Sequence, residues 1–306
     1  MSSSTHSLGS HVSRISVIAM HAFTQLVRMK VFYFLVVFGI IMIASNFFDL
    51  PQHDGPESMG LNVLRSIKSW SLGTMTLFSV VLAIVATALL LPKDVEDRTL
   101  YTILAKPVPR LDYLAGKLLG VLLLVFVSLM LMNLLMTVAL HLRTGMVLKE
   151  QLQMAENLGW PQATIDAMKA ETLQQGPSWS LQGAVFAVFL RASIMASLAL
   201  LISTFSTSTL FTTIISFLIY FIGHFQADAR DVYLQSGEAG QGVFTRLVSL
   251  LVSLVLPDFQ LFNVIDAVIQ GQTLPLITLG KLTLVGLFYA LFFTLASWFV
   301  FSEKEF

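Results

Sequence analysis

Residues 92–117 read PKDVEDRTLYTILAKPVPRLDYLAGK, and the reading of this stretch decides how the rest of the chain is understood. It holds nine of the 36 Lys, Arg, Asp and Glu residues in a chain of 306. On either side lies an apolar run of about 20 residues, the length that crosses a bilayer as a helix. So many charges between two spans imply an aqueous surface with something to hold there.

The order of residues within the stretch matters. Lys93, Asp94, Glu96, Asp97 and Arg98 come first, and residues 99–105 are mostly apolar. The run Lys106-Pro107-Val108-Pro109-Arg110 forces a turn, because the residue before a proline is driven away from the helical region. Residues 111–117 lead into the next apolar run. The predicted product is a helix-turn-helix knob that projects from the membrane. Leu100, Ile103 and Leu104 would form an apolar ridge ringed by charge. Such a ridge suits a groove in a partner, with the charges setting register and specificity. A plain solvated loop is the competing reading, but loops favour polar turn residues over this mixture of proline and leucine.

Composition agrees with a membrane setting. The chain is 56% hydrophobic and 12% charged, with a mean hydropathy of +0.79, against about 25% charged residues in a soluble domain. It reads as an all-α polytopic membrane protein, a single domain over residues 1–306. Zero net charge gives no footprint for nucleic acid. The absence of Cys removes disulfides and thiolate metal sites. The first thirty residues lack the early apolar core and cleavage site of a secretory signal, so the first apolar run reads as a retained anchor.

Six transmembrane helices are predicted, at residues 31–48, 72–91, 118–142, 181–203, 209–225 and 278–301. Before the first, residues 13–30 carry Ile15, Ile18, Ala19, Ala22, Leu26 and Met29 at helical spacing, opposed by Arg14, Gln25, Arg28 and Lys30. This pattern predicts an N-terminal interfacial helix on the membrane surface. The run 243–256 is short for a span and is closed by Pro257, so residues 243–275 read as re-entrant outer helices before the last span. Six crossings place both termini on one side. Basic residues are most concentrated in the short connection 92–117, where the positive-inside rule applies best, so that side is taken as cytoplasmic. The connection 143–180 then lies outside the membrane and should form a short helical pair, with Pro161 in the first turn of its second helix. This extracytoplasmic insert hints at a partner or lipid outside the membrane.

Chemistry within the spans is sparse. No GxxxxGK[ST] cradle exists, since Gly116-Lys117 and Gly280-Lys281 are each followed by Leu. The six His are scattered without HExxH spacing, which gives no metal site. No GxSxG nucleophile occurs. Ser193, Ser197, Thr209, Thr212, Thr213 and Ser216 are read as close helix packing through small residues, or as the polar wall of a substrate path. Arg191, about ten residues into the fourth span, has two open readings because an isolated mid-membrane Arg costs at least about 2.5–3.5 kcal/mol. It snorkels to the outer surface, or it meets an anionic lipid or substrate group. Asn133 reads as a hydrogen bond between helices.

The run DVEDRTLYTILAKPVPRLDYLAGKLLG resembles the connection between the second and third spans of ABC-2 type transporter permeases. The likeness is strongest to the branch that includes the permease of the nitrous-oxide-reductase maturation system. VRMKVFYFLVVFGI, IYFIGH, LPDFQLFNVIDAVIQG and the terminal FSEKEF are similar to that branch too. The resemblance covers nearly the whole chain apart from residues 147–176. It implies a six-span permease subunit that forms a homodimer in a bacterial inner (cytoplasmic) membrane, each copy docking a separate ABC ATP-binding subunit. Residues 92–117 would be the cytoplasmic coupling helix. Glu96 and Arg98 would pair with the ATPase, Tyr101 and Leu104 would pack into its groove, and Thr99, Lys106, Pro107 and Arg110 would complete the coupling surface. ATP and Mg would sit in the partner, with no cofactor in this chain. Arg191, Thr209, Thr213 and Ser216 would be candidates for the substrate path, and membrane lipids would be natural neighbours. The function implied is coupling of ATP hydrolysis to export or lipid-type movement. Two alternatives are a membrane scaffold that recruits an ATPase without transport and a membrane-embedded lipid-modifying enzyme.

Overall fold

In an apolar medium the α-helix satisfies every backbone N–H and C=O within one segment, and most of the described residues adopt it. The computed structural model describes residues 3–44, 60–96, 109–206, 208–225 and 257–303, with no strand among them. The helices are α1 (Ser3–Val27), α2 (Lys30–Ala44), α3 (Leu61–Glu96), α4 (Arg110–Asn157), α5 (Gln162–Gln174), α6 (Trp179–Phe205) and α7 (Thr209–His224). A 3-10 turn (Gln260–Phe262), α8 (Ile265–Ile269) and α9 (Leu276–Glu303) follow.

Among the described residues, four helices are long and apolar enough to cross a membrane: α3, α4, α6 and α9. They contain the spans predicted at 72–91, 118–142, 181–203 and 278–301. The runs predicted at 31–48 and 209–225 appear as shorter apolar helices, α2 with 15 residues and α7 with 16. Residues 45–48 lie outside the described set.

The long helices outrun their apolar stretches. With 48 residues, α4 extends about 72 Å at 1.5 Å per residue, against a hydrocarbon core of about 30 Å. The expected helical pair in 143–180 is therefore half made by α4 itself, which continues to Asn157. Gly159 at φ +62° ends it. Trp160 N–H donates to Ala155 O and Gly159 N–H to Glu156 O, the two hydrogen bonds of a Schellman motif. Pro161 then precedes α5 as its cap. Thr172 on α5 donates to Gln151 Oε1 on α4 at 2.7 Å, which fastens the pair together.

The centre of the bundle is α6, with α3, α4, α7 and α9 around it. Ala184, Ala187, Ala192, Ala196 and Ala199 are buried along it, and such small residues let neighbouring backbones come close. Ser178 caps its start by accepting from Leu181 N–H, as Ser208 caps α7 through Phe211 N–H. Across the α4–α6 contact, Asn133 Nδ2 donates to Gln182 Oε1 at 2.6 Å, the interhelical bond expected of Asn133.

Contacts fix the direction of each helix. Gly183 of α6 meets Leu279 of α9 and Leu190 meets Gly286, so these two helices run parallel. α4 opposes them, because its first residue, Arg110, reaches the carbonyls of Phe301 and Ser302 at the end of α9. One end of the bundle therefore gathers α1, the start of α4 and the end of α9. The other gathers the start of α3, the end of α4, α5 and residues 257–275. There Lys68 donates to Gln175 Oε1, Gln175 to the Gln270 carbonyl, and Leu274 N–H to Ser180 Oγ.

Candidate functional site

Two places in the fold bear on function, one at each end. The first surrounds the connection from α3 to α4. α3 is described as far as Glu96, and α4 begins at Arg110, directly after Pro109. Pro109 is thus the residue at which α4 begins, and residues 97–108 lie outside the described set. The side chain of Glu96, and Arg98, Thr99, Tyr101, Leu104, Lys106 and Pro107 entirely, lie outside the described residues. Of the eight coupling candidates, Arg110 is the one whose side chain is described. Its Nη1 donates to the carbonyls of Phe301 and Ser302 at 2.8 and 2.7 Å, and its guanidinium lies 6.0 Å from the Phe301 ring centroid. A helix C-terminus carries unpaired carbonyls and partial negative charge, so an Arg fits there.

The base beneath that connection is tightly built. Asp112 is 3% exposed and takes His11 Nδ1 at 3.0 and 2.7 Å on its two oxygens. Arg14 Nε lies 3.2 Å from Oδ2 as an ion pair. Both partners come from α1. One and two turns further along α4, Gly116 and Gly120 let α1 press against it. A Cβ on Gly120 would sit 2.7 Å from Ala19 O and 2.7 Å from Ala22 Cβ, and one on Gly116 2.7 Å from Ile18 Cβ. The sequence reading passed over Asp112 and this pair. The signal was available in Gly116-Lys-Leu-Leu-Gly120, a small-xxx-small spacing that marks close helix contact. The apolar stripe of α1 read as a membrane-facing surface is the face set on α4, with Ala22 and Leu26 buried. Val12, Val17 and Met20 are the exposed apolar residues instead.

The second place is a cavity of about 540 Å³ toward the other end, between α3, α7 and the segment around α8. Its wall on α3 is one helical face that includes Gly73, Thr76, Leu77 and Val80; Phe217, Tyr220 and Phe221 come from α7. Arg191, Asn263 and Asp266 are polar members of its lining. Arg191 is 5% exposed, so it is turned into protein and not out to the bilayer surface. Its Nη2 donates to the Phe259 carbonyl at 3.1 Å, while its Nε has no hydrogen-bond partner.

That carbonyl is held in place by a close approach. Phe259 N–H donates to Gly223 O, and a Cβ on Gly223 would lie 2.6 Å from the Phe259 ring. Glycine at the end of α7 thus lets residues 257–259 reach Arg191. Asp258 Oδ1 accepts from Gln260 N–H and starts the 3-10 turn. Residues 243–256 of the predicted re-entrant segment lie outside the described set.

The structure separates the four substrate-path candidates. Arg191 lines the cavity; Thr209, Thr213 and Ser216 are not in its lining. Thr213 Oγ1 donates to Thr209 O and Ser216 Oγ to Thr212 O, each within α7. Ser193 and Ser197 do the same within α6. Hydroxyls that back-bond to their own helix remain small and polar-satisfied, which suits close packing.

Residues 16–305 fit the family model of the ABC-2 family transporter protein. No curated protein matches the chain.

Proposed function

The chain belongs to the ABC-2 transporter family, and on that premise we propose that it is the permease subunit of a two-component exporter or lipid mover. It is a multi-pass membrane protein, with apolar helices able to span a bilayer. In this reading two copies pair, each docks an ATP-binding subunit at residues 92–117, and closure of the ATPases rocks the helices. The chain has no phosphate-binding cradle of its own, so the work must arrive through a docked surface. The two short apolar helices then complete six crossings in a bacterial inner membrane, with both termini cytoplasmic.

The observation that carries the reading is the family match over residues 16–305. The build of the bundle end next to residues 97–108 supports it. Arg110, Asp112, Gly116 and Gly120 join the start of α4 to α1 and to the end of α9. A push on the connection would therefore reach three helices together. Apolar side chains exposed along α7 and α9, among them Leu210, Ile214, Leu284 and Phe288, provide surface for lipid and for a second copy. A depression that includes Trp160, Thr164 and Met168 on the α4–α5 pair is where an extracytoplasmic partner would dock.

The double variant Glu96→Ala with Arg98→Ala tests the coupling surface. It should reach the membrane in normal amount, retain its unfolding temperature, and lose both co-purification of the ATP-binding subunit and stimulation of ATP hydrolysis. Wild-type stimulation in that variant would remove residues 92–117 from the coupling role.

A further inference from the structure

The cavity beside α3 is lined by a cation, a carboxylate and an exposed apolar side. The cation is Arg191, twelve residues into α6, or about 18 Å along the helix. The Phe259 carbonyl and the Tyr220 side chain hold the guanidinium, which brings its positive charge to the cavity wall, where an anionic oxygen would be stabilised. The anion is Asp266, in the segment hydrogen-bonded to the residues just before α6. Its Oδ2 accepts from Asn263 at 3.2 Å, and a carboxylate has room for further donors. Between α3 and α7 the wall opens sideways at Leu77, 60% exposed, and Phe221, 61% exposed.

We propose that this cavity binds a zwitterionic phospholipid, its phosphate on Arg191, its ammonium toward Asp266, and its chains leaving across Leu77 and Phe221. The charges argue for a zwitterion over a simple anion. Among the described residues the lining carries one buried cation and one carboxylate, so an anionic head would meet Asp266 as well as Arg191. Depth argues the same way. Arg191 lies further from the bundle end than Asp266, and in such a lipid the phosphate lies nearer the chains than the ammonium. The volume of about 540 Å³ accommodates a headgroup and the start of its chains, within the usual range of ligand pockets. The inference deepens the permease reading and rests on it only for whether the lipid is moved.

Binding is measured on the full chain without any ATPase, so a failure of coupling leaves this test intact. The protein is reconstituted in vesicles of equal parts phosphatidylethanolamine and phosphatidylglycerol, one or the other bearing a photoactivatable chain. Cross-links are then mapped to peptides around Leu77 and Phe221. The ethanolamine probe should label them several-fold more than the glycerol probe. Gly73→Phe fills the cavity from a position where an added Cβ meets nothing within 4 Å, so it should abolish that excess and keep the wild-type unfolding temperature. Asp266→Asn leaves a lone cation and should turn the preference toward phosphatidylglycerol. Equal labelling by the two probes, or an excess that survives Gly73→Phe, would overturn the assignment. Adding the partner ATPase with Mg-ATP separates the sources: a moved lipid loses its cross-link on turnover, a resident lipid retains it, and both outcomes uphold the site.

Discussion

Lys68 shows how a buried polar group is made tolerable. It is 1% exposed, and its ammonium donates to Gln175 Oε1 at 2.8 Å. Gln175 passes its own donors to the Gln270 carbonyl. Gln175→Leu leaves the ammonium without that acceptor and should cost about 1–3 kcal/mol, read as a lowered unfolding midpoint. Adding Lys68→Met to that variant removes the stranded charge and should recover most of the loss, since replacing both partners is far cheaper than removing one. Gly120 is the steric counterpart. Gly120→Leu must displace Ala19 and Ala22, at a cost of about 1–3 kcal/mol, and should expose α1 to proteolysis before the rest of the bundle. At this scale the sequence was partly legible. Asn133 met the partner type its chemistry demanded. For Arg191 the cost argument left two readings open, and the structure supplies a partner that neither named, the Phe259 carbonyl 68 residues away.

At the scale of elements, apolar runs located the helices well and their ends poorly. Hydropathy marks where side chains change, while a helix ends where its hydrogen bonds stop. Arg65 and Lys68 interrupt the apolar pattern, yet α3 continues back to Leu61. Leu142 closes the predicted third span, yet α4 continues to Asn157 because nothing before Gly159 breaks it. Pro109 and Pro161 were good guides, each standing directly before a helix, whereas Pro92, predicted to open the connection, lies inside α3. The amphipathic stripe of α1 was read correctly as an apolar face and assigned to lipid. A moment alone does not distinguish lipid from protein, because both present hydrocarbon. The deciding signal was on the other helix, in the spacing of Gly116 and Gly120.

At the scale of the whole molecule, the alternation of helices makes a prediction about sides. The chain has no cysteine, so any single one introduced is an unambiguous label. Asp166→Cys on α5 and Glu303→Cys at the end of α9 lie at opposite ends of the bundle. An impermeant thiol reagent added to intact cells should modify position 166, and modify position 303 only after the membrane is opened. Labelling of both from the same side would invert or dismantle the proposed topology. The same arrangement places α4 across the entire protein. It contains no proline over 48 residues, and so lacks the commonest cause of a kink. A rigid rod of about 72 Å that tilts by about 5° around its middle moves each tip by about 3 Å, in opposite directions. A small lateral displacement at Asp112 on one face of the bilayer would therefore appear, with its sign reversed, at Trp160 on the other.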